Sequence, residues 1–172
     1  IYRGREDFVY RVAVGEQPYI TQAFPLGGKE GVNTVAAVVG WNLSDSSLPL
    51  DTKPGGDSIR QTTYHKENQC SNPVPYAVDT LPECNETESN DTTRNAQRIE
   101  LPKIINGRMD KPGDVDVFAF KARAGEKIAV EVYGRRLNSP LDSLLRLTDA
   151  SGKVLELNDD YMLKDEHLHT NM

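Results

Sequence analysis

Five carboxylates and one amide stand in two short clusters of the chain. Glu86, Glu88, Asn90 and Asp91 fall in the run E-C-N-E-T-E-S-N-D, and Asp114 and Asp116 come just before the alternating segment V-F-A-F. Such groups either face water separately or converge on a hard cation. Calcium takes about six to eight oxygens from carboxylates, amides, backbone carbonyls and water. Glu86, Glu88, Asp91, Asp114 and Asp116 would bring five negative charges together, with Asn90 a neutral oxygen donor. Gathering them without a cation would cost several like-charge contacts and raise carboxylate pKa values. Arg94, Arg108 and Lys111 lie near in sequence and could neutralise part of the excess. The bland alternative makes Glu86 and Glu88 solvated linker charges, Asp91 a helix N-cap and Asp114 a turn residue. A second acidic group, Asp142 with Asn158, Asp159 and Asp160, reads as ordinary turn sequence.

The elements that must position these groups are strands. From Leu81 onward, Pro82 and the acidic run read as a linker, and Asn90-Asp91-Thr92 as the cap of one helical turn through Ala96. Strand candidates follow at residues 98–101, 103–107, 115–122, 127–133, 144–148 and 154–157. Lys111-Pro112-Gly113, Ala124-Gly125-Glu126 and Ala150-Ser151-Gly152 supply the turns. Short strands at this spacing, without helices, predict a β-sandwich.

The first half reads the same way. Residues 1–17 contain F-V-Y-R-V-A-V, where Phe8, Tyr10, Val12 and Val14 alternate with Val9, Arg11 and Ala13, a strand period. Residues 18–78 hold further candidates at 34–39, 58–64 and 74–78. Gly27-Gly28, Gly31, Gly40 and Pro54-Gly55-Gly56 lie between them. Nothing here has a helical period. The fold class expected is all-β, two immunoglobulin-like or jelly-roll-like sandwiches in tandem.

Two resemblances sharpen this. Ile20-Thr21, Pro25, Gly28, Gly31 and Gly40-x-Asn42-Leu43 resemble the immunoglobulin-like IPT/TIG domain across residues 18–80. That resemblance implies a spacer in a surface protein. Residues 81–172 resemble the bacterial pre-peptidase C-terminal domain, related to the collagen-binding domains of clostridial collagenases. The motifs carrying it are Glu86-x-Glu88-x-Asn90-Asp91, Ala96, Gly107, Asp114-x-Asp116-x-Phe118-x-Phe120 and Ala124-Gly125-Glu126. Ser139-Pro140-Leu141-Asp142, Asp149-x-x-Gly152 and Asn158-Asp159-Asp160 extend it. This resemblance implies an accessory module that is not itself an enzyme. It also implies calcium ligation at the acidic run and just before the F-x-F strand, leaving open which of Asp114 and Asp116 ligates. Family members continue after the Asn-Asp-Asp turn with a G-x-Y strand and a closing strand. The second sandwich is therefore expected to be incomplete, with residues 1–17 resembling the end of a preceding module. Phe8–Val14 is then expected to complete the sheet of residues 115–157, within one chain or by exchange in a homodimer.

Catalytic chemistry finds no support. There is no G-x-S-x-G, no H-E-x-x-H and no glycine-rich phosphate loop opening a helix. His65 is isolated, and His167 and His169 lie in a polar terminal segment. Cys70 and Cys84 flank N-P-V-P-Y-A-V-D-T-L-P-E; they are either a disulfide, worth ~3 kcal/mol by loop-closure entropy, or two thiols. A zinc site is disfavoured because neither belongs to a C-x-x-C pair.

Composition bounds the rest. With 172 residues, 37% hydrophobic and 27% charged, the chain is globular, and no apolar run is long enough for a transmembrane helix. A net charge of −6 and a pI near 5.1 oppose nucleic-acid binding, which needs a basic surface. Ile1 in place of an initiator methionine reads as an excised or processed fragment. The expected function is a non-catalytic, secreted or cell-surface module, stabilised by calcium. It would act as a spacer or in adhesion to a matrix, polysaccharide or protein ligand. The alternative is the accessory domain of a larger secreted hydrolase, positioning its catalytic domain.

Overall fold

The computed structural model describes residues 5–159; Asp160, His167 and His169 lie outside them. The described chain is all β, with one 3-10 turn and no α-helix. Its first half carries β1 (Tyr19–Phe24), β2 (Gly27–Lys29), β3 (Thr34–Trp41), β4 (Ser47–Leu50), β5 (Ile59–Thr62), β6 (His65–Lys66), β7 (Gln69–Cys70) and β8 (Val74–Asp79). β1, β3 and β4 form an antiparallel sheet in that order. The facing sheet runs β2-β8-β5, with β2 parallel to β8 and β5 antiparallel.

Alternation in the sequence becomes the two faces of each strand. In β3, Ala36 and Val38 are buried while Val35, Ala37 and Val39 point to solvent. Ile20, Val38 and Leu48 from the first sheet meet Tyr64 and Val74; Ala36 and Leu50 meet Tyr76 and Val78. This is sheet-on-sheet packing, each strand giving alternate residues to a shared core. The Tyr64 hydroxyl reaches across it, accepting from the backbone N–H groups of Ser44 and Asp45, each at 3.0 Å. At Gly40 a Cβ would collide with the Tyr19 carbonyl, so close approach of β1 to β3 requires glycine there.

The second half is built from two-stranded pairs: β9 (Glu83–Asn85), β10 (Gln97–Arg98), β11 (Ile104–Asn106), β12 (Phe118–Ala119), β13 (Leu144–Thr148) and β14 (Val154–Asp159). β9 pairs with β11 and β10 with β12, both parallel; β13 and β14 form an antiparallel hairpin. The 3-10 turn Arg135–Leu137 packs against β8 and buries Leu137 on the first half.

Several expectations are corrected. Phe8–Val14 is not a strand: it lies outside any sheet, with Tyr10 88% and Val14 90% exposed. Its alternation signals capacity to pair, but among the described residues no strand pairs with it. Residues 127–133 likewise have strand composition without a partner, and the strand expected over 115–122 shrinks to β12. The helical turn expected to end at Ala96 is a turn closed by Asn95 N–H to the Thr92 carbonyl, 3.1 Å. Cys70 and Cys84 are unbridged thiols, Cys70 on the exposed β6–β7 hairpin and Cys84 within β9.

Candidate metal centre

The parallel pairing of β9 with β11 sets Asn85 beside Asn106, and the ladder continues as Glu86 N–H donates to the Asn106 carbonyl at 2.8 Å. Glu86 thereby lands against Gly107. A Cβ on Gly107 would sit 2.6 Å from Glu86 Oε2, so the missing side chain is the space this carboxylate occupies. The other oxygen of Glu86 accepts from Arg108 N–H.

The acidic loop after Glu86 is held by amides. Gln97 Oε1 accepts from Thr87 N–H at 2.7 Å, while its Nε2 donates to the Asn85 carbonyl at 3.1 Å. Asn95 donates to the Ser89 carbonyl at 2.7 Å and accepts from Thr92 N–H at 2.9 Å. The link to the second cluster is one backbone bond: Val117 N–H donates to the Asn90 carbonyl at 3.0 Å. With Gln97 N–H on the Val117 carbonyl at 2.9 Å, it holds Asp114-Val115-Asp116 beside the acidic loop.

The five carboxylates named from the sequence therefore meet in two overlapping groups, and Asn90 lies in the loop between Glu88 and Asp91. Glu86, Glu88 and Asp116 present carboxylate oxygens within 4.8 Å of one another, and so do Glu88, Asp91 and Asp114. Glu88 belongs to both groups and is the exposed member. Asn90 is 0% exposed, and neither its Oδ1 nor its Nδ2 has a hydrogen-bond partner. The Asp114 side chain is 1% exposed; its Oδ2 accepts from Asp110 N–H at 2.7 Å, and its Oδ1 makes no hydrogen bond. Glu86 Oε2, Asp91 Oδ1 and Asp116 Oδ1 are also buried and unbonded. Among the described residues, every buried side-chain polar atom without a hydrogen bond belongs to this cluster. Folded proteins rarely leave such atoms unmatched, and a bound ion is one of the few reasons they do.

The charge balance agrees. Lys111 Nζ lies 3.5 Å from Asp91 and 3.6 Å from Asp114, one cation against five carboxylates. Burial, then the charges of Asp116 and Glu88, push Glu86 up to about 7. Burial and neighbouring carboxylates also raise Asp116. Asp114 is instead held below the usual range, first by the Asp110 backbone N–H and further by Lys111. Of the other cations near in sequence, Arg108 lies over the Phe24 ring at 4.2 Å, and Arg94 forms no ion pair among the described residues. The donor set is oxygen only, which suits a hard cation and not a thiophilic one.

Sequence reading missed parts that do the positioning: Gln97, Asn95 and the Arg108 backbone. Gly107 was visible as a family-like glycine, but its contact with Glu86 was not. Among the described residues the second acidic group forms no cluster: Asp142 pairs with Arg135 at 3.5 Å, and Asn158 and Asp159 lie in β14. His65 shares a hydrogen bond with Thr63 at 3.0 Å, stands opposite Cys70 in the β6–β7 hairpin, and belongs to no group of three metal-ligand side chains among the described residues.

Comparison with known proteins gives one informative relative. The chain is 42% identical over 90 residues to a protein of Deinococcus radiodurans described as a "Probable subtilase-type serine protease". The matched stretch is 51% of this chain but 12% of that protein. No family model matches, and no solved structure matches. The similarity thus concerns a small portion of a protease polypeptide. Among the described residues, no helix is long and apolar enough to cross a membrane.

Proposed function

We propose that the chain is a calcium-stabilised, non-catalytic module of a larger secreted protease, and that Glu86, Glu88, Asn90, Asp91, Asp114 and Asp116 hold the ion. The observation that carries the metal reading is the buried, unbonded oxygens of Glu86, Asn90, Asp91, Asp114 and Asp116 turned into one cluster. Calcium would satisfy them together and offset charge that Lys111 leaves uncompensated. The accessory role is supported by the likeness to a short portion of a protease, and by the resemblance of residues 81–172 to pre-peptidase C-terminal domains. It also favours the accessory-domain reading over a free-standing adhesion spacer.

Calorimetric titration of the purified chain with Ca²⁺ tests the metal reading, and it counts the ions. Two carboxylate groups sharing Glu88 give two, and one merged site gives one. Absence of heat with millimolar Ca²⁺ refutes the site. The accessory role is tested separately, by comparing matrix-bound substrate cleavage by the intact protease with and without this module.

A further inference from the structure

The hairpin β13–β14 has an unfinished edge. All six residues of β14 are exposed, including Leu155 at 51% and Leu157 at 57%, and among the described residues β14 has no hydrogen-bonded neighbour but β13. A two-stranded hairpin is marginal by itself, and an open apolar edge is a template for another strand. The same chain carries a segment of strand composition that pairs with nothing among the described residues. Phe8–Val14 places Phe8, Tyr10, Val12 and Val14 on one face of an extended chain, stands outside every sheet and exposes all four.

The two segments complement each other in one antiparallel register. Setting Arg11 opposite Glu156 places Tyr10 opposite Leu157 and Val12 opposite Leu155 on one face. Val9 then meets Asn158 and Ala13 meets Val154 on the other. A slip of one residue would turn the apolar series to the opposite face and separate the charges, so this register is favoured over its neighbours.

We propose that Phe8–Val14 of one copy adds to β14 of a second copy, reciprocally, giving a two-fold dimer with two strand additions. Main-chain hydrogen bonds supply attachment, and the Tyr10–Leu157, Val12–Leu155 and Arg11–Glu156 pairs supply register. In the two-fold both donor segments and both β14 edges are used, so this exchange closes at two.

Sedimentation equilibrium of the full chain tests the association. A dimer is expected. Arg11→Glu or Glu156→Arg alone weakens it by about tenfold or more, and the two together restore it. Cross-linking identifies the donor. In a background with Cys70→Ser and Cys84→Ser, a Tyr10→Cys chain mixed with a Leu157→Cys chain forms a covalent pair on oxidation. A monomer at all concentrations, a dimer indifferent to either charge change, or no covalent pair on mixing overturns the proposal.

Discussion

Glu88→Gln is the most informative single change at the proposed calcium centre, because Glu88 alone belongs to both carboxylate groups. Even at the dielectric constant of water, ~80, a divalent ion and a carboxylate ~2.4 Å apart attract by ~3.5 kcal/mol. Part is offset by desolvation, so the loss should weaken binding by about a hundredfold. At a Ca²⁺ concentration ~100 times the wild-type Kd, binding stabilises the wild type by ~2.7 kcal/mol; with the weakened Kd the gain falls to ~0.4 kcal/mol. For a chain of this length each kcal/mol moves Tm by about 2–4 °C, so a rise of ~5–11 °C should shrink to ~1–2 °C. With chelator the order reverses. The Glu88 charge pushes up both Glu86 and Asp116, so removing it relieves repulsion in the cation-free protein. The variant should melt at or slightly above the wild type in EDTA and well below it in calcium. Calorimetric melting under the two conditions reads this crossing directly. Equal destabilisation of Glu88→Gln in EDTA and in calcium would show that Glu88 is merely structural and refute the argument.

Three further outcomes are expected. Gly107→Ala should leave the fold intact but weaken calcium binding by about tenfold or more, because its Cβ collides with the carboxylate end of Glu86, beside Asp116 Oδ2, and displaces that ligand; unchanged titration heats would count against the assigned position. In EDTA the protein should lose stability as pH rises from about 4.5 to 7. Glu86, pushed up to about 7 from an ordinary 4.5, binds its proton more tightly folded than unfolded, so its contribution is full below 4.5 and gone above 7; Glu86→Gln should flatten that slope of Tm against pH, and a flat wild-type profile would contradict it. Tyr64→Phe should cost about 1–3 kcal/mol, since it strands the N–H groups of Ser44 and Asp45, while denaturant melts show calcium stabilisation undiminished.

Much of this was legible in the sequence. Alternation in T-V-A-A-V-V and V-P-Y-A-V, with glycine and proline between, was enough for β3, β8 and the all-β class. Turn residues and side-chain period act over a few positions, so they survive without knowledge of partners. The six acidic and amide residues were also named by type and order alone. What the sequence could not hold is which segments lie side by side. Phe8–Val14 and residues 127–133 have strand composition yet no partner in the described chain. β9 and β10 are short, weakly patterned strands created by pairing with β11 and β12. The cluster depends on those same non-local pairings. One hydrogen bond from Val117 to Asn90 and the register of β9 on β11 turn two separated acidic runs into one set of buried oxygens. Residue types determined what the site could bind; only the tertiary pairing, whose energy comes from contacts far apart in the chain, decided that its members meet.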